Sequence, residues 1–379
     1  MTLAGGAALV GRATATGTAR YAARQCDRRA AHPAHYRQAL GLTVSSVGYG
    51  TSAGALSDEV DAAYRAAVGQ VVEAGCNLLD TAPSYRAQRS EIALGRAIAA
   101  LVGSGACSRD ELIVMSKGGF IPHRLQRPAD PARYVYDTLV RGGIAEPEDL
   151  AGGIHCLTPG FLAQQVNWSL RNLGLRTLDV YFLQNPEIQL AFVDRATFRK
   201  RMQLAFAALE EETAAGRIGC YGLATWEGLR RAPVSPDYLS LEVMLQLAAE
   251  VAGPDHHLRA IQLPINPAMP EAQTLRNQPV QNRILSALNA ARDLGVTVIG
   301  SAALGQAALS DRHAATLAEM FPGLAGAAPA ALQFARSLPQ VTSALFGSLD
   351  PAHIWQDLAV AAVAPDPERA LRAAQTFAR

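Results

Sequence analysis

The sequence predicts an α/β protein folded as a single parallel (β/α)8 barrel of the TIM type. Three observations carry this prediction. Eight short apolar runs of strand length recur along the chain, and helix-forming stretches separate most of them. Several of those stretches stop at a glycine just before the next apolar run, as at Gly75, Gly174, Gly216 and Gly295. No long polar linker divides the 379 residues, which suits one large domain with insertions. A doubly wound sheet is the alternative that the same alternation allows.

Taken in order, residues 1–35 read as an N-terminal extension, low in complexity and partly irregular, and residues 36–379 as the barrel. The mixed stretch around Gly41 (36–44) suits a short β-hairpin. The first barrel strand, 45–50, enters a turn through Gly50, Thr51 and Gly54. Residues 58–74 place Val60, Tyr64, Ala67, Val68 and Val71 at helical spacing. The run Cys76-Asn77-Leu78-Leu79 forms the second strand and breaks at Asp80, after which Ser90 caps a helix that ends near Gly103. The third strand, 112–116, closes on Lys117 and two glycines.

Residues 120–157 are too long for an ordinary strand-to-helix connection, and such insertions are usually functional or disordered. Thr158-Pro159 opens a helix that runs to Leu173. The fourth strand, 178–184, is followed by a helix at 197–215 and the fifth strand at 218–224. A second interruption, 225–259, precedes the sixth strand at 260–264, and a third irregular stretch runs from 266 to 279. A helix at 282–294, a strand at 296–301, a helix at 328–337, a strand at 342–346 and a last helix from Pro351 complete the pattern.

The totals narrow the partners. A net charge of +1 provides no broad basic field for nucleic acid or an anionic membrane. No apolar run reaches the roughly 18 residues of a membrane span. Residues 7–10 are apolar and precede the first charge, the wrong order for a secretory signal. Five cysteines, odd in number and without C-x-x-C, read as reduced thiols of a cytoplasmic protein. His256-His257 lacks a third ligand at a suitable spacing, so no metal is expected. The Ala/Arg/Gly-rich composition suggests a GC-rich bacterial genome, with secondary metabolism as the expected setting.

In such a barrel the C-terminal ends of the strands converge on one face, so residues far apart in sequence become neighbours. Asp80 ends the second strand and Tyr85 follows five residues later. Lys117 ends the third, where a charge is costly without a partner. Singly, each has an ordinary explanation: a turn cap, a packing aromatic, an exposed loop residue. Together, an ammonium held by a carboxylate beside a phenol should favour phenolate, lower the tyrosine pKa and make Tyr85 a general acid near neutral pH. Phe120, Tyr134, Tyr136, Trp226, Tyr238 and Met269, on the insertions, are candidates for lining an apolar substrate pocket.

The segments G-Y-G-T (48–51), D-T-A-P-S-Y (80–85), S-E (90–91), L-G-R-A-I (94–98) and V-M-S-K-G-G (114–119) resemble the aldo-keto reductases. Ser301 to Gln306 and the later Gly347, Pro351 and His353 agree, and the resemblance covers roughly residues 15–360. T-A-R-Y (18–21) and the hairpin look like those of bacterial members whose β-hairpin crosses the barrel bottom. The resemblance implies a tetrad of Asp, Tyr, Lys and His, NADPH as hydride donor, and reduction of a carbonyl to an alcohol. Asp80, Tyr85 and Lys117 match the first three. Gln184 stands at the histidine position; it can donate through its amide but cannot titrate. In relatives that reduce the C=C bond of an enone, that position is a glutamate.

The resemblance also implies a cofactor surface comprising Gly50, Thr51, Asp80, Thr225, Gln262, Ser301, Leu304, Gln306, Gly347, Ser348 and Asp357. Gln262 matches a glutamine that grips the nicotinamide amide, whereas Gly222-Leu223-Ala224-Thr225 replaces the usual G-V-S-N and leaves Thr225 as its one hydrogen-bonding side chain. Ser301 replaces a stacking aromatic. Where Lys or Arg commonly meets the 2′-phosphate, the chain has Ser348-Leu349-Asp350, and Asp350 should repel that group. The expected function is NAD(P)H-dependent reduction of a small-molecule ketone, aldehyde or enone, with Tyr85 as proton donor. The alternative is an aldo-keto reductase-like barrel with non-redox acid–base activity (dehydration, isomerisation or cyclisation), or a cofactor-poor inactive homologue.

Overall fold

The computed structural model describes residues 7–29, 31–305 and 309–378. The first two strands, β1 (Tyr36–Ala39) and β2 (Leu42–Ser45), form an antiparallel hairpin. Its loop is Leu40-Gly41, both at positive φ (55° and 70°), the backbone that a two-residue hairpin turn with matching twist requires. Eight parallel strands then close into a barrel: β3 (Val47–Gly50), β4 (Leu78–Asp80), β5 (Ile113–Gly118), β6 (Leu178–Gln184), β7 (Ile218–Ala224), β8 (Leu258–Pro264), β11 (Thr297–Ser301) and β12 (Val341–Phe346). A small antiparallel hairpin, β9 (Gln278–Val280) and β10 (Arg283–Leu285), lies between β8 and β11. The fold is therefore a (β/α)8 TIM barrel with an N-terminal β-hairpin.

The helices are α1 (Ala15–Arg29), α2 (Asp58–Glu73), α3 (Arg89–Gly103), α4 (Pro131–Val135), α5 (Pro159–Leu173), α6 (Arg195–Ala214) and α7 (Leu241–Ala252). After them come α8 (Glu271–Thr274), α9 (Ala287–Asp293), α10 (Asp311–Met320), α11 (Ala327–Ser337), α12 (Pro351–Leu358) and α13 (Pro367–Phe377). Ser57, Asp194, Ser240 and Ser286 each cap a following helix through the side chain.

The strands read as near-continuous apolar runs because both faces of a parallel barrel are covered. Inward, Leu78, Ile113, Met115, Val180, Phe182, Ile299 and Leu345 pack into one cluster. Val44, Leu42 and Leu40 of the first hairpin join that cluster, so the hairpin plugs the N-terminal end of the barrel. Outward, residues such as Val114, Tyr181, Leu223 and Ile261 pack against the helices. Phe182 is fully buried, and truncating such a ring to alanine costs about 3–5 kcal/mol.

Several elements differ from expectation. The extension expected to be partly irregular carries α1, which Arg20 and Arg24 tie to the buried Glu111 at 2.9 and 2.7 Å. The segment 282–294 begins as β10 rather than as helix, because residues 278–285 pair with each other before α9 starts. Helix α7 lies inside the interruption at 225–259. Helices α10 and α13 are also additions, and they pack against α11 through small residues such as Ala370 and Ala374 that make a weak periodic signal. All five cysteines are free, and Cys76, Cys107, Cys156 and Cys220 are buried. Among the described residues no helix is long and apolar enough to cross a membrane.

Candidate active site

Strand register brings the candidate residues to one end of the barrel. Asp80 pairs in register with Gly50 on one side and Met115 on the other, and Lys117 projects two residues beyond Met115. Gln184 aligns with Ala224, and Ala224 aligns with Gln262. Lys117 Nζ lies 2.7 and 2.6 Å from the two carboxylate oxygens of Asp80 and donates to the Thr81 carbonyl at 3.0 Å. Both side chains of this ion pair are almost fully buried. Nζ is 4.8 Å from the centroid of the Tyr85 ring and also hydrogen-bonds its phenol.

The electrostatics depart from the sequence expectation at Tyr85. Burial of the phenol pushes its pKa up, the Lys117 ammonium pulls it down and Asp80 raises it, and the net direction is upward. The expected lowering fails because desolvation of a phenolate outweighs one ammonium already neutralised by a carboxylate. Lys117 moves upward too: burial acts to lower its pKa, but Asp80 and Tyr85 more than offset it.

Tyr85 sits on a backbone that sequence reasoning missed. Arg86, Ala87 and Gln88 all take left-handed φ values of 50°, 53° and 73°. Such conformations are disfavoured for residues with a Cβ and persist where surroundings impose them. Here Arg86 supplies the constraint: its buried guanidinium donates to the Ala55 carbonyl at 2.9 and 2.7 Å and pairs with Asp61 at 2.7 Å. Gln88 is tied to the His123 carbonyl at 2.9 Å.

Gln184 is likewise fixed. The Ser84 hydroxyl donates to Gln184 Oε1 at 3.0 Å, which leaves the amide N–H groups as what Gln184 offers to the cavity. Its main-chain carbonyl accepts from His155 Nε2 at 2.7 Å, and His155 Nδ1 accepts from Gln189 at 2.9 Å. His155 is fully buried, and burial holds its pKa down to about 4, so the ring is neutral at pH 7. It belongs to the 120–157 insertion, which the sequence marks only by its length. Gly119 makes room for it: at φ 126°, a Cβ there would lie 2.6 Å from His155 Nε2 and 3.0 Å from the Gln184 carbonyl oxygen.

Asp80, Tyr85, Lys117 and Gln184 line a cavity of about 600 Å³ together with Gly50, Thr225, Gln262, Ser301, Leu304 and Gly347. Thr225 is buried, and its hydroxyl has no hydrogen-bond partner among the described residues. An orphaned buried hydroxyl on a cavity wall is a site where a ligand amide would restore a lost hydrogen bond, so this end fits a nicotinamide. Gln262 Nε2 is engaged by Asp80 Oδ1 at 2.9 Å, which leaves its Oε1 for a ligand. Three expected cofactor residues stand apart from the cavity. The Thr51 hydroxyl turns to Thr81 and the Asp80 carbonyl, Ser348 Oγ accepts from the Asp350 amide, and Asp357 lies on the buried side of α12. Gln306 lies outside the described residues.

Of the insertion aromatics, Trp226 lines this cavity. Glu187 holds its loop by accepting from the amides of Trp226, Glu227 and Gly228 at 2.8, 3.1 and 3.4 Å. The others serve elsewhere. Phe120 packs edge-on to His155, Tyr134 donates to the Pro122 carbonyl, Tyr238 donates to the Asn277 carbonyl, and Tyr136 is exposed. Met269 closes a turn on Asn266. His257 pairs with Glu210 at 2.6 Å.

Comparison with known proteins agrees with the barrel fold. The chain is similar in structure to an aldo/keto reductase from Klebsiella pneumoniae in complex with NADP and acetate, with a TM-score of 0.60 and 18% identity over 89% of this chain and 93% of that one. It is similar also to the holo form of an aldo-keto reductase from Bacillus halodurans, with a TM-score of 0.61 and 17% identity over 91% and 96% of the two chains. At these identities the likeness is one of fold. Among curated proteins none matches the chain. The profile described as "Aldo/keto reductase family" matches residues 46–370, nearly the whole barrel, and the chain belongs to that family.

Proposed function

We propose that this chain is a nicotinamide-dependent reductase of a ketone, aldehyde or enone, with Tyr85 as the proton donor. The observation that carries the reading is the buried Asp80–Lys117 pair against Tyr85, in one cavity with the unpartnered Thr225 hydroxyl. Family membership supports the reaction class, and two solved relatives are complexes with NADP or NADPH.

The roles follow from the side chains. The Gln184 amide, with Oε1 held by Ser84, donates to the substrate carbonyl oxygen and draws electron density from its carbon. Thr225 and Gln262 bind and orient the cofactor amide. A reduced nicotinamide held there would supply hydride to the carbonyl carbon. Tyr85 transfers its phenolic proton to the oxygen as negative charge develops there. Its raised pKa keeps that proton in place at neutral pH, and Lys117 stabilises the phenolate once the proton has left. Asp80 keeps Lys117 charged inside the barrel. The free, mostly buried cysteines are in keeping with a reducing compartment.

The test is reduction of a carbonyl and enone panel by wild type and Tyr85→Phe. The variant should lose roughly 10²–10⁴-fold in kcat, the range for a lost general acid, while cofactor binding is unchanged. Equal turnover by the variant would remove Tyr85 from the role. A wild-type protein that binds no dinucleotide would point instead to non-redox acid–base chemistry at the same residues.

A further inference from the structure

The end of the barrel opposite the cavity holds two guanidinium charges that no acid answers. Arg336, in the last turn of α11, is fully buried. Its Nε donates to Ser46 Oγ at 3.0 Å. Its Nη1 donates to Gln333 Oε1 and to the Val360 and Val363 carbonyls at 2.6, 2.7 and 3.1 Å. Arg37, on β1 of the plugging hairpin, donates through Nη2 to the Arg336 carbonyl. Among the described residues neither guanidinium meets an Asp or Glu. Arg336 Nη2 and Arg37 Nη1 are buried donors without a hydrogen-bond partner.

We propose that Arg37 and Arg336 form a binding site for a small inorganic anion of the size of chloride, separate from the reductase chemistry. Every partner of Arg336 is a neutral acceptor, and such groups solvate a guanidinium without cancelling its charge. Buried donors left unpaired are costly, and here each guanidinium contributes one. A single compact acceptor satisfies both and screens the two cations from each other. It also ties the hairpin plug to the end of α11.

The surroundings carry positive charge only. Burial and then the neighbouring Arg37 push Arg336 down to about 9, and burial pushes Arg37 down to about 10. Both are still charged at neutral pH. His35, fully buried beside them, is driven down to about 3 by burial and then by Arg336, so its ring is neutral. Its Nε2 donates to the Gly75 carbonyl at 3.3 Å, and its Nδ1 accepts from Ser46 Oγ at 3.1 Å. His35 and Ser46 thus extend the network without adding negative charge. Arg37 is only partly buried, which gives an ion a path from solvent.

Thermal unfolding of the full chain in sodium chloride and in sodium gluconate tests this, with ionic strength matched so that general screening is the same. Chloride should raise the midpoint by roughly 1–3 °C over gluconate and then level off as the site fills. Arg37→Gln keeps a donor for the Arg336 carbonyl but removes one charge and one orphaned N–H, so its midpoints in the two salts should coincide. Crystals of the wild type grown in bromide should show an anomalous peak between the two guanidiniums, a reading that needs no variant. Equal wild-type midpoints in the two salts overturn the proposal. So does an Arg37→Gln protein that keeps the chloride effect, or bromide found only at other places.

Discussion

Removing Lys117 tests whether the barrel mouth is held by a charge pair or only by packing. In Lys117→Met the side chain keeps its apolar bulk, but Asp80 loses the donor at 2.7 and 2.6 Å from its two oxygens. Among the described residues the Gln262 amide at 2.9 Å is then the one remaining side-chain donor to that carboxylate, which is about 3% exposed. An uncompensated buried charge of this kind costs about 3–5 kcal/mol. The double variant Asp80→Asn/Lys117→Met removes both charges and should recover most of the loss, giving a coupling of at least about 2 kcal/mol. Urea unfolding followed by circular dichroism reads the change as a lower midpoint at constant slope. The pH dependence has a definite sign. Lys117 has a raised pKa, so its contribution is fully present below the ordinary lysine range and is lost only as pH rises through the higher value. The penalty of Lys117→Met should therefore be flat between about pH 6 and 9. A loss under about 1 kcal/mol, or two single losses that simply add, would refute the buried-pair argument.

Three further outcomes follow from the same geometry. His155 is held neutral with a pKa near 4 against an ordinary 6.5, so unfolding takes up a proton on acidification. The stability advantage of wild type over His155→Gln should shrink by about 1.4 kcal/mol per pH unit between about pH 6 and 4.5, and parallel curves would contradict the burial argument. Gly119→Ala places a Cβ 2.6 Å from His155 Nε2 at φ 126°. It should cost about 1–3 kcal/mol in urea midpoint and lower kcat by displacing Gln184, and wild-type values for both would show that the contact is not needed. Burial raises the Asp357 carboxyl from an ordinary 3.8 to about 6, so the penalty for ionising it in the fold grows between those values and is complete above them. Asp357→Asn should stabilise the protein by up to about 2 kcal/mol at pH 8 and by nothing at pH 4, as differential scanning calorimetry at the two pH values would register.

Much of the molecule can be read from the chain alone. The eight apolar runs and their helix stops locate all eight barrel strands to within a few residues, since strands covered on both faces must be apolar throughout. Asp80 and Lys117 are legible because adjacent parallel strands put their ends side by side. Helix α1, the β9–β10 hairpin and the outer helices α10 and α13 are not legible. Their small or polar residues become buried only against partners distant in sequence.

The sequence by itself determined the barrel, the family and the residue types at the cavity: a carboxylate, a phenol, an ammonium and an amide in place of an imidazole. Periodicity and strand order are local properties, and they suffice for that much. Only the tertiary structure decided the state of those groups. The Tyr85 phenol is more basic than expected, because desolvation depends on everything that surrounds it and not on Lys117 alone. Gln184 presents its amide N–H groups because Ser84, 100 residues earlier, takes its oxygen, and its backbone is held by His155 from an insertion with no recognisable pattern. The Asp350 carboxylate became the cap of α12, where it accepts from the amides of Ala352 and His353. Burial, hydrogen-bond direction and the placing of a charge are sums over neighbours, and the fold supplies those neighbours.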